Sequence, residues 1–126
     1  MKWKEVKDVM EKFGSVQVFR RGGAIYFKLR FPAGSEIEFG ADNACDVVKW
    51  GVMQELKKRL GWKPLDDYLV GDNIAIKVHV LRKGVILVDM MVKDQTPIDI
   101  IRLEWKELNI DQLAQVLQKV DAIHGI

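Results

Sequence analysis

A regular alternation of apolar side chains between residues 24 and 31 constrains the fold of this chain more than any other feature. The apolar members, at every second position, are Ile25, Phe27, Leu29 and Phe31. Because successive side chains of a strand point to opposite faces, the pattern predicts a β-strand with one face in the core. Val16 and Val18 alternate in the same way just upstream and predict a partner strand.

The two runs are separated by Arg20, Arg21, Gly22 and Gly23. We predict a two-residue turn at Arg21-Gly22, because it keeps all the apolar side chains on one face. The register that follows has Val18 opposite Ile25 and Val16 opposite Phe27. The glycines suffice for a turn, and no carboxylate partner is evident for Arg20 or Arg21, so the two arginines need another explanation.

A second turn is predicted at Pro32-Ala33-Gly34, because a three-residue hairpin takes a left-handed residue at its third position. It leads into a third strand. On the outer face, away from the apolar side chains, this strand pairs two cations with two carboxylates: Arg30 with Glu36, and Lys28 with Glu38.

Three helices are predicted from apolar residues at steps of three and four. The first precedes Gly14, and its apolar face comprises Trp3, Val6, Met10 and Phe13. The second follows a cap at Asp42 or Asn43 and ends at Gly61, with an apolar side formed by Val48, Val52, Leu56 and Leu60. The last has a capping box at Asn109 and Gln112, and its core face comprises Ile110, Leu113, Leu117, Val120 and Ile123.

The sequence of residues 62–126 predicts the same order of helices and strands again. Pro64 suits the first turn of a short helix, PLDDYL, over residues 64–69. Two alternating runs then flank the turn Arg82-Lys83-Gly84 and set Lys77 opposite Asp89, and a third strand is expected around residues 98–105. Residues 1–61 and 62–126 thus both read helix, three strands, helix. An internal duplication explains this order, and so does chance, because basic turns containing glycine are common.

The predicted fold class is α+β, a single domain over residues 1–126 in which six antiparallel strands pack against helices. No apolar run approaches the ~18–20 residues that cross a bilayer. The first residues, MKWKEVKDVMEK, lack the continuous apolar stretch of a signal peptide. We therefore expect a cytoplasmic protein that does not contact a membrane.

The net charge of +2 is weak evidence for a polyanionic partner. Residues 1–61 carry 12 Lys and Arg against 8 Asp and Glu, a balance of +4, whereas residues 62–126 carry 8 against 10, a balance of −2. A basic surface is therefore expected mainly in the first half.

Few residues are of the types that carry catalysis. His79 lies within a predicted strand and His124 in the last turn of a helix, and neither adjoins a nucleophile or metal-ligand motif. Cys45 begins a helix between Asp42 and Asp46, whose charges oppose a lowered thiol pKa. We expect no catalytic residue, no metal and no cofactor.

The best-supported expectation is a non-enzymatic protein that binds single-stranded DNA or RNA with low sequence specificity. Single-strand binders combine aromatic rings that stack on bases with cations that meet phosphates. The candidate residues are Phe19, Arg20, Arg21, Tyr26, Lys28 and Arg30 of the first hairpin, with Arg82 and Lys83 at the second basic turn.

A metal-dependent nuclease is a further alternative. Asp89 on one strand and Glu104-Trp105-Lys106 at the end of the next resemble the PD-(D/E)xK superfamily. The resemblance covers residues 62–126. It implies that the two carboxylates hold Mg²⁺ and orient the attacking water.

Other resemblances concern element order alone. Helix, three strands, helix is the order of double-stranded-RNA-binding domains, but this second helix begins with Asp42 and Asp46 where that family has lysines, so the function is not transferred. PUR-repeat and Whirly-type DNA binders are similar in outline.

Small dimeric secretion chaperones are similar to this chain in element order and length, and the resemblance implies a protein-interaction adaptor. For such a homodimer the expected interface comprises four outward apolar residues: Leu81, Val85, Leu87 and Met91.

Overall fold

The computed structural model describes residues 3–125. In chain order the elements are α1 (Trp3–Met10), β1 (Ser15–Arg21), β2 (Ala24–Arg30), β3 (Glu36–Gly40), α2 (Ala44–Leu60), β4 (Lys63–Leu65), β5 (Tyr68–Val70), β6 (Ile74–Leu81), β7 (Val85–Val92), β8 (Pro97–Glu104) and α3 (Ile110–Ile123). Single 3₁₀ turns precede α2 and follow β8, at Ala41–Asn43 and Trp105–Glu107. All strand pairs are antiparallel and form a first sheet, β1-β2-β3, and a second sheet, β4-β5-β6-β7-β8. The α+β class is confirmed.

The turn between β1 and β2 differs from the prediction. It consists of Gly22 and Gly23, whose φ angles are 58° and 83°. A type I′ turn needs positive φ at both positions, which glycines adopt without strain, whereas a turn at Arg21-Gly22 would force an arginine into that conformation. The observed pairs are Val16 with Leu29 and Val18 with Phe27. The predicted register was wrong by two residues, and since the side-chain period is two, each apolar side chain keeps its face.

The predicted register of β2 with β3 is confirmed. Arg30 lies opposite Glu36 and Lys28 opposite Glu38 on the outer face. The three-residue turn has Gly34 at its third position with φ of 96°, as the left-handed geometry requires.

Residues 62–126 do not repeat the element order of residues 1–61. The predicted short helix over residues 64–69 is instead the β4–β5 hairpin, which turns at Asp66 with φ of 52°. Aspartate tolerates this left-handed conformation, and β5 is held by pairing with β6. The described chain therefore has eight strands in two sheets rather than six strands in two matching halves, and the internal duplication is not supported.

The β6–β7 hairpin follows its prediction. Leu81 lies opposite Val85 across a three-residue turn, and Lys77 lies opposite Asp89 in the strand register. The last strand, β8, ends at Glu104, one residue earlier than expected, because Trp105 begins the 3₁₀ turn and is buried.

One continuous core joins the helices to the inner faces of both sheets. On α2 the predicted apolar side is confirmed, since Val48, Val52 and Leu56 are fully buried. The capping box of α3 is also confirmed, as Asn109 Oδ1 accepts a hydrogen bond from the Gln112 N–H at 3.0 Å. Ile123 was expected in the core but is 64% exposed. No helix in the described part of the chain is long and apolar enough to cross a membrane.

Candidate nucleic-acid interface

The outer face of the first sheet carries five of the eight predicted nucleic-acid-binding residues. From the Gly22-Gly23 turn towards the other end, its cross-strand rows are Arg21–Ala24, Phe19–Tyr26–Gly40, Gln17–Lys28–Glu38 and Ser15–Arg30–Glu36. The opposite face packs on the core through Phe27 and Leu29, which are fully buried. The packing of the inner face on the core therefore fixes the position of the outer face.

Two aromatic rings form the centre of the outer face. The ring centroids of Phe19 and Tyr26 lie 5.9 Å apart, with an angle of 21° between the ring planes. Both residues are half-buried. Across from Tyr26 stands Gly40, where an added Cβ would lie 3.6 Å from the Tyr26 ring. The ring therefore lies against the glycine, and one offset-stacked pair spans all three strands.

Arg21 covers the aromatic pair. Its Cζ lies 5.2 Å from the centroid of Phe19 and 5.4 Å from that of Tyr26, which is the range of cation–π attraction. Its Nη1 also lies 2.8 Å from Glu38 Oε1. The side chain thus extends from β1 across the rings to a carboxylate on β3.

The expected ion pairs on this face are partly wrong. Arg21 was expected to lack a carboxylate partner, whereas Lys28 was expected to pair with Glu38. Glu38 instead pairs with Arg21, because the longer arginine side chain reaches diagonally over Tyr26 to it. The pair between Arg30 and Glu36 is confirmed, with Nε and Oε1 3.0 Å apart.

Four of the predicted cations make no ion pair within residues 3–125: Arg20, Lys28, Arg82 and Lys83. Arg20 alternates with Phe19 and Arg21, so its side chain leaves the strand on the inner side, at the exposed edge beside the turn. Lys28 remains on the outer face, half-buried, one row from the aromatic pair.

The second basic turn adjoins the junction between β3 and α2. Arg82 lines a small pocket together with Ala41, Asp42 and Cys45, which follow Gly40 directly in the chain. Gly40 is also the residue opposite Tyr26. The two basic turns therefore approach the same junction from different sheets, although the chain separates them by about sixty residues.

Cys45 does not have the properties of a nucleophile. Burial raises the pKa of its thiol, and the neighbouring positive charge of Arg82 only partly opposes this effect. A thiol with a raised pKa remains protonated near neutral pH. Cys45 is half-buried and lies outside the core cluster.

The residues of the nuclease resemblance are not brought together. Asp89 lies opposite Ile100, and Glu104 lies opposite Val85. The two carboxylates are thus four residues apart along the strands, or about 13 Å at ~3.3 Å per residue, too far to share one metal ion. Nor do residues 3–125 contain any cluster of three or more His, Cys, Asp or Glu side chains that could hold a metal.

The four predicted dimer residues lie on the outer face of the second sheet. Leu81 is 42% exposed, Leu87 and Met91 are half-buried, and Val85 is buried although it lies outside the core cluster. The prediction missed Leu65 on the same face, 63% exposed, because residues 64–69 read as a helix. It also missed Ile100, 55% exposed, whose position only the pairing of β8 reveals.

Comparisons of this chain with protein-family models, with curated proteins and with solved structures find no match.

Proposed function

We propose that this protein binds single-stranded nucleic acid, with little sequence specificity, on the outer face of its first sheet. The observation that carries the proposal is the aromatic pair of Phe19 and Tyr26, which stacks on an open sheet face beneath a guanidinium. Every base has a π-face, so a ring platform of this kind is tolerant of sequence.

Binding would replace the Arg21 guanidinium with a nucleic-acid base as the group that stacks on the rings. In the free protein Arg21 lies over both rings. A base that stacks on Tyr26 displaces this guanidinium, which then turns towards the adjacent phosphate. Glu38 competes with that phosphate for Arg21, because the two are joined at 2.8 Å in the free protein. The platform is therefore expected to bind with moderate affinity.

The phosphates would be met by the cations that lack carboxylate partners in the described chain. Lys28 is next to the platform, Arg20 is beside the first turn, and Arg82 adjoins the β3–α2 junction. Lys83 follows Arg82 in the same turn. Each phosphate contact on a single strand contributes a slope of about −0.7 in log affinity against log salt, so these four cations together predict a slope of about −3.

A salt titration tests the proposal. A fluorescently labelled single-stranded oligonucleotide is titrated with the protein at salt concentrations upward from ~50 mM, and the dissociation constant is read from anisotropy. We expect binding that weakens steeply with salt. Absence of binding at the lowest salt contradicts the proposed function.

Replacing Tyr26 with alanine is expected to weaken oligonucleotide binding about 5- to 150-fold, the range for the loss of one stacked base. The salt slope should not change, because no charge is removed. Tyr68→Ala is the matched control, since Lys77 Nζ lies 5.6 Å over the Tyr68 ring on the other sheet. Equal effects of the two substitutions would show that the rings of the first sheet bind no base.

Replacing Glu38 with glutamine is expected to strengthen binding about 2- to 5-fold, since an exposed ion pair is worth at most about 1 kcal/mol. The released Arg21 should also steepen the salt slope by up to about 0.7. The control is Glu36→Gln, which removes the same charge but releases Arg30, two rows from the rings. If the two variants gain the same oligonucleotide affinity, the gain comes from the change in overall charge and not from the release of Arg21.

A second candidate function is a protein-interaction module. It is favoured by a different observation, the exposed apolar side chains on the outer face of the second sheet, and the two functions can coexist because they use different sheets. Contiguous apolar surface of this kind is typical of protein interfaces.

A further inference from the structure

The outer face of the second sheet is ordered by its strand pairing into cross-strand rows. The first row runs Lys63–Val70–Ala75–Met91–Pro97 and the second runs Leu65–Tyr68–Lys77–Asp89–Ile100. The third row contains His79, Leu87 and Arg102, and the fourth contains Leu81, Val85 and Glu104. Each row contains apolar residues. Charged residues lie on the edge strands, at Lys63, Arg102 and Glu104, and one pair of opposite charges lies near the centre.

The central charges are not satisfied by one another. Lys77 Nζ leans towards β5, 3.9 Å from Asp67 Oδ2 and 5.6 Å from the Tyr68 ring centroid. Asp89 lies directly opposite Lys77 on β7 but makes no ion pair with any described residue. It is half-buried, with Leu87 and Met91 beside it on the same face of β7 and Ile100 opposite it on β8. A half-buried carboxylate in such surroundings favours a cation arriving from outside the chain.

We propose that a second copy of this chain packs face to face on the second sheet, about a two-fold axis that runs parallel to β6 and β7 and midway between them. Rotation about this axis places β6 of each copy over β7 of the other. It does not shift residues along the strands, so each cross-strand row faces the same row of the second copy. Lys77 therefore faces the second copy's Asp89, and the same contact occurs twice by symmetry.

The same two-fold axis also brings the residues of the other rows of the two copies opposite each other. Tyr68 meets Ile100 of the second copy, which is 55% exposed, and Leu81, 42% exposed, lies over Val85. Met91 lies over Ala75. Val85 and Ala75 are already buried within their own chain, so the exposed partner supplies most of each of these two contacts. On β8, Arg102 lies opposite the position where β5 continues into the acidic turn Asp66-Asp67. An axis perpendicular to the strands would instead place like charges together, with Lys77 over Lys77. Charge complementarity thus selects the parallel axis.

The area of the face is below the range of most stable dimers. Its five strands contain 30 residues, which at about 3.3 Å per residue and about 4.8 Å between strands give ~480 Å² per copy. Stable interfaces bury about 1,200–2,000 Å² in total. The dimer is therefore expected to form at micromolar rather than nanomolar concentration, with the two sheets aligned as in β-sandwiches.

Charge-reversal variants test this assembly by sedimentation velocity of the whole protein. The wild type is expected to sediment at twice the monomer mass at tens of micromolar. Lys77→Glu and Asp89→Lys should each raise the dissociation constant at least about tenfold, because like charges then face each other. An equimolar mixture of the two variants should dimerise again, since each reversed charge meets its complement in the other chain. Mixing does not alter the contacts inside either chain, so only a contact between chains can be rescued.

Lys58→Glu, the same charge change on an exposed position of α2, is the control and should leave the mass unchanged. Should a charge variant lose its far-UV circular dichroism, Tyr68→Cys is mixed with Ile100→Cys, both in a Cys45→Ser background. Because β5 and β8 are three strands apart, position 68 of one copy faces position 100 of the other but lies far from position 68. A short bifunctional maleimide should then link the mixture but neither variant alone. A monomeric wild type at ~100 µM overturns the proposal. So does a mixture that neither dimerises nor becomes linked.

Discussion

The Phe27→Ala variant is expected to lose about 3–5 kcal/mol of unfolding free energy, the usual range for truncating a buried phenylalanine. Phe27 is fully buried, and its ring stacks on Phe39 with centroids 5.3 Å apart. It lies on β2, which is paired on both sides, so the backbone cannot collapse into the cavity. Urea unfolding followed by circular dichroism measures the loss as a lower transition midpoint.

The neighbouring residue provides the control for this prediction. Tyr26 lies on the same strand but on the outer face, and Tyr26→Ala is expected to cost no more than about 1–1.5 kcal/mol, because a half-buried ring loses less area and leaves no closed cavity. If the two variants lose the same stability, the assignment of inner and outer faces is contradicted. The comparison also shows whether weaker oligonucleotide binding by Tyr26→Ala reflects lost contacts or lost folding.

The Asp121→Ala variant is expected to lose about 2–4 kcal/mol, because two backbone N–H groups, one buried and one half-buried, would be left without an acceptor. Asp121 is buried near the end of α3. Its Oδ1 accepts hydrogen bonds from the N–H groups of Asn73 at 2.8 Å and Ile74 at 3.0 Å. The Asn73 side-chain amide donates in return to the Asp121 carbonyl at 2.8 Å. The carboxylate thus joins α3 to the turn before β6.

Asp121→Asn separates the hydrogen bonds from the charge. The asparagine side chain keeps an oxygen that accepts from both N–H groups, so a loss of only about 1 kcal/mol is expected, the difference between charged and neutral acceptors. Chemical unfolding of the three proteins under the same conditions measures both differences. An alanine variant as stable as the asparagine variant would show that water satisfies the two N–H groups.

The strands of the first sheet illustrate how much of the fold was predictable. The alternation of residues 24–31 predicted which side chains are buried, because period and burial are coupled in a strand. The wrong turn shifted the register by two residues but changed no face, since a shift of two preserves the alternation. The β4–β5 hairpin was not predictable in this way. Its three-residue strands carry too little pattern, and β5 is held as a strand by its pairing with β6.

The sheet face of the candidate residues was predictable, but their contacts were not. The spacing of Phe19, Arg21, Tyr26, Lys28 and Arg30 placed these five residues on one face. The ion-pair partner of Glu38 could not be predicted, because strand register identifies only the residues that lie directly opposite one another. The reach of the Arg21 side chain across Tyr26 decides that contact.

The sequence by itself determined the α+β class, the apolar faces of the strands, and the limits of the long helix at Gly61. These properties follow from local periodicity and from the left-handed backbone that glycine adopts at the helix end. Only the tertiary structure decided that the strands divide into two sheets, that Arg82 of the second basic turn lies beside the β3–α2 junction, and that Lys77 makes its ion pair with Asp67 rather than with Asp89 opposite it. These properties depend on residues distant in sequence, whose proximity arises from packing into one core rather than from any local pattern.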